Sequence, residues 1–327
     1  MKVFVTRRIP EAGLKRLTGH DVTVWPEPLP PSREELLRRV ADCDGLLSLL
    51  TERIDGPLLD AAPRLRVVSN YAVGFNNVDV PAATARGVAV GNTPGVLTDA
   101  TADCAFMLLI AAARCLRAGL EDIAAGKWKT WEPLGWVGQE LTGKTLGVVG
   151  LGRIGTALAR RCKGGWGMKV IYHDTVRNEA AERELGGVPL VDRDALLRES
   201  DFVSLHVPLT ADNQKMMNRE RFAEMKRTAV FVNTARGGLV DEAALADALR
   251  SGTIFAAGLD VTDPEPPAAD NPLLKLPNLV LVPHVGSATV AARDAMAVIA
   301  ADNLLAGLEG VALPHWVNPE VAGKHRK

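Results

Sequence analysis

Three side chains in this sequence have the types and settings to reduce a carbonyl: His284, Arg236 and Glu265. His284 sits in Val282-Pro-His284-Val-Gly286-Ser, just past an apolar run and just before a helical one. An imidazole donates a proton near neutral pH, and a nearby carboxylate favours its charged form. Arg236 sits in Asn233-Thr-Ala-Arg236-Gly237-Gly238, where the glycines free the backbone so that a guanidinium can enter a cleft. Its planar, always-charged fork matches a carboxylate. Glu265 sits in Asp263-Pro-Glu265-Pro266-Pro267, a proline-braced loop that can hold a carboxylate still. Each has a plainer reading when taken alone: a capping histidine, a surface arginine paired with Asp241 or Glu242, an ordinary acidic turn. Taken together they suit reduction of a 2-oxo acid. That reaction needs a carboxylate clamp, a proton donor for the new alkoxide and a hydride donor.

The hydride donor has a place as well. Thr145 to Val149 is a short uncharged run rich in β-branched residues, the composition of a buried parallel strand. It runs into Gly150-Leu-Gly152-Arg153-Ile154-Gly155, a G-x-G-x-x-G. After it Ile154, Ala157, Leu158 and Cys162 recur at helical spacing. Strand, glycine loop and helix in that order bring a pyrophosphate to a positive helix N-terminus. Asp174 ends the next strand, 174 − 155 = 19 residues past the last glycine, where an acid is expected to meet a ribose.

The elements that must position these residues follow from apolar periodicity. In the first hundred residues, strands are predicted at 2–5, 45–49, 66–69 and 88–90, with helices at 32–40 and 80–85. In the second half, strands are predicted at 146–149, 169–172, 202–205, 229–232, 256–259 and 279–282. Alternation of this kind implies parallel sheets with crossover helices, and ligands bind beyond the carboxyl ends of such strands. Gly150, Asp174, His206 with Pro208, Arg236, Asp260 and His284 all fall at those ends. The loop from Asn70 through Gly74 to Asp79 also opens at a strand end, where backbone N–H groups could hold an anion; a capped turn is the alternative. One long apolar helix is expected from Asp99 to about Leu120, with Thr98 as its N-cap. A second is expected from about Ser287 to Leu308. Trp128, Trp131 and Trp136 lie in a linker rich in Gly and Pro, where plain packing is the expectation and a subunit contact the alternative.

Bulk composition excludes several classes. The 327 residues carry a net charge of −1 with 24% charged residues, which gives no reason to expect nucleic acid or an acidic membrane as partner. The apolar run Cys104 to Ala113 is too short to span a bilayer. The first five residues read as a strand rather than a signal peptide. The four cysteines are widely spaced, so neither disulfides nor a metal site is expected, and a reducing cytoplasm fits. The basic tail Lys324-His325-Arg326-Lys327 is expected to fray.

Six segments in order carry a family resemblance: NYAVGFNNVD (70–79), NTPGVLTDATAD (92–103), VVGLGRIG (148–155), NTARGGLVDE (233–242), AGLDVTDPEP (257–266) and PHVGSAT (283–289). With them the chain resembles the D-isomer-specific 2-hydroxyacid dehydrogenases along nearly its whole length. Trp131-Glu-Pro133-Leu134 and Gly258-Leu-Asp260-Val-Thr262 are most like the glyoxylate and hydroxypyruvate reductases. The resemblance implies two doubly wound α/β domains. One is a Rossmann cofactor domain over 99–287; the other is a flavodoxin-like substrate domain made of 1–98 with 288–327. It implies that Arg236 binds the substrate carboxylate and carbonyl, that His284 is the proton donor and that Glu265 supports it. Asn70, Val73 and Gly74 would meet the substrate, the latter two through their amides. The implied cofactor positions are Gly150, Gly152, Arg153, Ile154, Gly155, Asp174, His206, Pro208, Thr234, Ala235, Arg236, Asp260, His284 and Gly286. The implied cofactor is NAD: Asp174 stands where members preferring NADPH tend to carry Arg or Ser. A homodimer paired through the cofactor domains is also implied. Other D-2-hydroxy acids (D-lactate, D-glycerate), formate or phosphite are alternative substrates, and a nucleotide-sensing binding protein without turnover is the alternative from another class.

Overall fold

The computed structural model describes residues 1–324 and 326. Contacts divide the chain into two units, Met1–Leu97 with Ala288–Lys327, and Thr98–Ser287. The first unit alternates β1 (Lys2–Val5), α1 (Glu11–Leu14), β2 (Asp21–Val24), α2 (Arg33–Val40), β3 (Gly45–Ser48), α3 (Gly56–Ala61), β4 (Val67–Asn70), α4 (Val80–Ala85) and β5 (Ala89–Gly91). All pairings are parallel, in the order β2-β1-β3-β4-β5. That is the flavodoxin-like doubly wound order. β3 and β4 are buried at every residue, which is why Gly45–Ser48 and the first three residues of β4 are apolar or small, with the buried polar Asn70 at the end of β4. β2 escapes sequence reading. It is an edge strand whose residues alternate between exposed and half-buried, so it lacks an apolar run.

The second unit opens with α5 (Thr98–Ala113) and α6 (Leu116–Ala124). Then come β6 (Thr145–Val149), α7 (Arg153–Trp166), β7 (Lys169–His173), α8 (Glu179–Glu184), α9 (Arg193–Glu199), β8 (Phe202–Leu205), α10 (Arg219–Glu224), β9 (Val230–Asn233), α11 (Glu242–Ser251), β10 (Ala256–Leu259) and β11 (Leu279–Leu281). The six strands are parallel in the order β11-β10-β9-β8-β6-β7. From β6 the chain winds out to β7, then returns to β8 on the other side. The carboxyl ends of β6 and β8 therefore form the switch point where such sheets bind ligands. Both sheet faces are dry. Val148, Val230 and Val232 enter one apolar cluster with α5 and α7 residues, while Val149, Phe231 and Ala257 enter a second with α9 to α11 residues. Burial of alternate side chains on opposite faces makes the whole strand apolar.

The expected helix 99–120 is in fact two. It begins at Thr98 itself and breaks at Arg114 and Cys115, where Cys115 takes a left-handed backbone (φ 53). α5 is buried on most sides, but α6 buries no residue, and Leu116, Leu120 and Ile123 are exposed. The linker tryptophans are not core either: Trp131 is 78% exposed and Trp128 57%. The last helix, α12 (Val290–Glu309), is capped by Thr289 and packs on α1, β3 and β4 of the first unit. His325 and Lys327 of the basic tail lie outside the described residues. Arg326 is tied down rather than frayed: its backbone N–H donates to Gly87 O (3.0 Å) and its guanidinium to Ala62 O (2.6 Å). Among the described residues no helix is long and apolar enough to cross a membrane.

Helix α7 carries an internal control on packing. A Cβ on Gly155 would lie 2.2 Å from Gly150 O, whereas one on Gly164 would meet nothing within 4 Å. Gly155→Ala should lower the melting temperature, since overpacking costs about 1–3 kcal/mol. Gly164→Ala should raise it, by about 0.4–1 kcal/mol of stability. Calorimetry that ranks the two variants the other way would contradict this packing.

Candidate active site

The site of the second unit is built on the carboxyl edge of its sheet. β10 delivers Asp260, buried, with its N–H bonded to Asn233 O (2.9 Å) at the end of β9. Its carboxylate accepts the N–H groups of Val285 (2.6 Å) and Gly286 (2.8 Å), and its carbonyl accepts that of His284 (3.0 Å). Burial pushes the Asp260 carboxyl up, and those two backbone bonds oppose the rise. This pins the segment after β11, in which His284 has a left-handed backbone, φ 52. The His284 ring then bonds Glu265 Oε2 through Nδ1 at 2.8 Å, which leaves Nε2 on the ring's other side. Glu265 is held in turn, its Oε1 accepting Thr262 N–H at 3.2 Å. The loop that carries it is braced by Glu242, a residue the sequence offered only as a surface partner for Arg236. Glu242 accepts Asp263 N–H (2.7 Å) and the Asn271 amide (2.9 Å).

Arg236 follows β9 and is half-buried, with Nη1 donating to Ala235 O at 2.6 Å. Burial pulls its pKa below the ordinary value, and the Glu265 carboxylate opposes that, as expected for neighbours of opposite charge. Asp241 caps α11, and Glu242 braces the Glu265 loop. The remaining histidines of this unit are occupied otherwise. Desolvation pushes His206 down to about 4, so its ring is neutral, within 2.9 Å of Ser204 Oγ. The His173 ring meets Val191 O at 3.1 Å.

The glycine loop fits a dinucleotide phosphate. Gly150 (φ 95) lies so close to β8 that a Cβ would be 2.7 Å from His206 O. Gly152 has no such protein neighbour: a Cβ there would meet nothing within 4 Å, so open space lies where a phosphate would approach. It is also the N-cap of α7 and provides no side-chain cap, which leaves the first helix N–H groups for an anion. Thr234 Oγ1 is buried without a partner in this same strand-end layer. Asp174 stands beside the loop, accepting N–H from Leu151 (2.9 Å) and Thr175 (2.8 Å). A carboxylate has further acceptor capacity for ribose hydroxyls. Arg153 is exposed, Ile154 half-buried and Pro208 exposed; Ala235 is half-buried and Gly286 buried.

In the first unit, the loop after β4 shows an arrangement the sequence could only half anticipate. Asn70 is fully buried, and its amide bonds Gly74 O (3.0 Å), Asn77 Oδ1 (3.2 Å) and Ser48 Oγ (3.1 Å). Its side chain therefore shapes the loop. Val73 O is held by the Asn92 amide at 2.8 Å. With both carbonyls fixed, the N–H groups of Val73 and Gly74 have no acceptor among the described residues.

The chain matches the family described as D-isomer specific 2-hydroxyacid dehydrogenase, NAD binding domain, over residues 106–286. It is 51% identical over 322 residues to a protein of Korarchaeum cryptofilum named glyoxylate reductase, covering 98% of this chain and 96% of that one. A glyoxylate reductase of Thermococcus kodakarensis is 51% identical over 325 residues, with 98% and 97% covered. Among solved structures, an NADPH-dependent glyoxylate/hydroxypyruvate reductase from Sinorhizobium meliloti superposes with a TM-score of 0.82 at 34% identity, covering 98% of this chain and 97% of that one. The match spans more than half of the chain and the relatives span nearly all of it, so the chain belongs to the D-isomer specific 2-hydroxyacid dehydrogenases.

Proposed function

We propose that this protein reduces glyoxylate, or the related hydroxypyruvate, to the 2-hydroxy acid. The observation that carries the chemistry is the His284–Glu265 pair at 2.8 Å, on the same sheet edge as the glycine loop. The relatives' names support the substrate. The nicotinamide cofactor supplies the hydride. Gly150, Gly152 and the N-terminus of α7 would hold its phosphates, with Thr234 and Asp260 alongside. Arg236 grips the substrate through its fork, where low dielectric strengthens the contact. In the first unit, the unpaired N–H groups of Val73 and Gly74 can donate to an anion. His284 donates the Nε2 proton to the carbonyl oxygen as the carbonyl carbon is reduced, and the imidazolium becomes imidazole. Glu265, bonded to Nδ1, fixes the ring orientation.

The four cysteines are free and three are buried, which supports the reducing cytoplasm as the compartment. A homodimer accounts for the apolar surface of α6 and the loop after it. Leu120, Ile123, Trp131, Leu134 and Val137 are all exposed there, and an apolar surface of that kind marks an interface. Sedimentation should give twice the 34.9 kDa chain mass, and Trp131→Asp with Leu134→Asp should give the single chain. A native monomer at micromolar concentration would remove the dimer.

The catalytic roles are tested by turnover of glyoxylate with NADH. His284→Asn should lower kcat by ~10²–10⁴-fold, the usual contribution of general acid catalysis, and leave NADH binding nearly unchanged. Arg236→Lys keeps the charge and loses the fork, so kcat/KM should fall strongly. Near-native turnover in both variants would refute this assignment.

NADH is the proposed coenzyme. A 2′-phosphate beside Asp174 would meet a like charge, which costs several kcal/mol. Since ~1.4 kcal/mol is a factor of ten, the preference should be on the order of a hundredfold. Steady-state kinetics with both coenzymes should show it, and Asp174→Ser should move it toward NADPH. Equal native efficiencies would show that Asp174 does not discriminate.

A further inference from the structure

The segment after β7 holds a cation that the proposed chemistry does not use. Arg177 lies three residues past Asp174, close enough in the chain to offset the repulsion of a 2′-phosphate. An Arg near the ribose is a known way for this fold to accept that phosphate. The geometry withholds it. Arg177 Nε lies 3.0 and 3.1 Å from the two Glu182 oxygens, and Nη2 donates to Oε2 at 2.8 Å. One edge of the guanidinium fork is thus filled by a carboxylate, the group it would have to exchange for a phosphate.

Glu182 is not a loose surface acid. Its side chain is 11% exposed, against 63% for Arg177. Its Oε1 also accepts the hydroxyl of Tyr172 at 2.6 Å, and Tyr172 is fully buried in β7. The carboxylate is anchored from below and the guanidinium lies over it. The same network reaches the glycine loop. Asn178 N–H donates to Tyr172 Oη (3.2 Å), and the Asn178 amide donates to Leu151 O (2.7 Å). Leu151 N–H in turn bonds Asp174. The loop bearing Asp174, Arg177 and Asn178 is therefore tied to β7, to α8 and to the glycine loop.

We infer that Glu182 is a specificity-determining residue, holding Arg177 away from the 2′ position of the adenosine so that Asp174 acts there unopposed. This rests on the reading of Asp174 as the ribose-facing acid. Two charges of opposite sign in a fork-to-carboxylate pair present almost no net charge to an approaching phosphate. With the carboxylate neutralised, Arg177 regains a full charge and a free fork. Tyr172 keeps its acceptor in Glu182→Gln, so the buried side of the network survives.

The test is direct binding of two coenzyme fragments by calorimetry, with no turnover required: 5′-AMP and adenosine 2′,5′-bisphosphate, on the native protein, Arg177→Ala, Glu182→Gln and the double variant. Arg177→Ala alone should leave both dissociation constants within about twofold, because in the native protein Arg177 is already engaged. Glu182→Gln should tighten the bisphosphate about tenfold relative to 5′-AMP, and the double variant should lose that gain. A native Arg177→Ala that weakens the bisphosphate tenfold would overturn the inference, because Arg177 would then already be in use. So would a Glu182→Gln protein with native melting behaviour and an unchanged ratio. Arg177→Ala sits on an exposed side chain, so that arm can overturn the inference even if Glu182→Gln does not fold. Failure of the native protein to bind 5′-AMP would instead count against the coenzyme reading itself.

Discussion

A histidine at φ 52 has to be held there. The left-handed region costs an L residue roughly 1–2 kcal/mol, and such residues persist where the surroundings over-determine them. Around His284 the determining contacts are backbone ones. Its own N–H and the next two are all taken by Asp260, one by the carbonyl and two by the carboxylate. One buried acid at the end of β10 thus sets the path of the chain after β11. Only with that path fixed does the ring come within 2.8 Å of Glu265. The pairing of acid and imidazole is a consequence of this backbone constraint.

Asp260 can do this only because of the sheet beneath it. β10 lies between β9 and β11, buried at every residue, and the apolar clusters on the two faces close both sides. A strand so placed has no freedom to slide, since a one-residue slip would exchange the side chains of the two faces. The first unit applies the same logic to a different end. There the fully buried Asn70 uses its amide to curl the loop after β4, and the loop's carbonyls turn inward while two N–H groups remain unpaired. In both units a buried polar side chain at a strand end organises backbone groups, and the backbone then presents the chemistry.

The charges of the second unit divide by depth. His206 is kept neutral by desolvation, and burial works against the charge of both Arg236 and Asp260. These groups are costly where they stand, and their charged or neutral states follow from the surroundings. Nearer the surface, Arg177 and Glu182 pair over Tyr172, and Asp174 is left facing backbone N–H groups. The arrangement puts an unneutralised acid at one point of the coenzyme loop and cancels the charge next to it.

Much of this was legible in the residues themselves. Strands buried on both faces must be continuously apolar, so β8 and β10 were found at their observed limits and most other strands within a residue or two. The glycine loop, the acid nineteen residues beyond it, and the placing of Arg236, Asp260 and His284 at strand ends were also visible, because backbone geometry and ligand approach restrict residue type locally. Other features were decided only by folding. The edge strand β2 has no buried face to pattern it, and the break after Ala113 leaves no Gly or Pro to mark it. The three tryptophans of the linker could equally pack within the chain or against a partner, and two of them lie largely in solvent, because hydrophobicity alone does not say which surface will cover a side chain. The part Asn70 plays in organising its loop left no mark in the sequence. Glu242 looked only like a surface partner for Arg236, and nothing in the sequence singled out Glu182. What each of them does depends on partners 21 and 29 residues away for Glu242 and on a ring 10 residues back in β7 for Glu182. Contacts between separate elements leave no period or local spacing in a single chain; three-dimensional packing creates them.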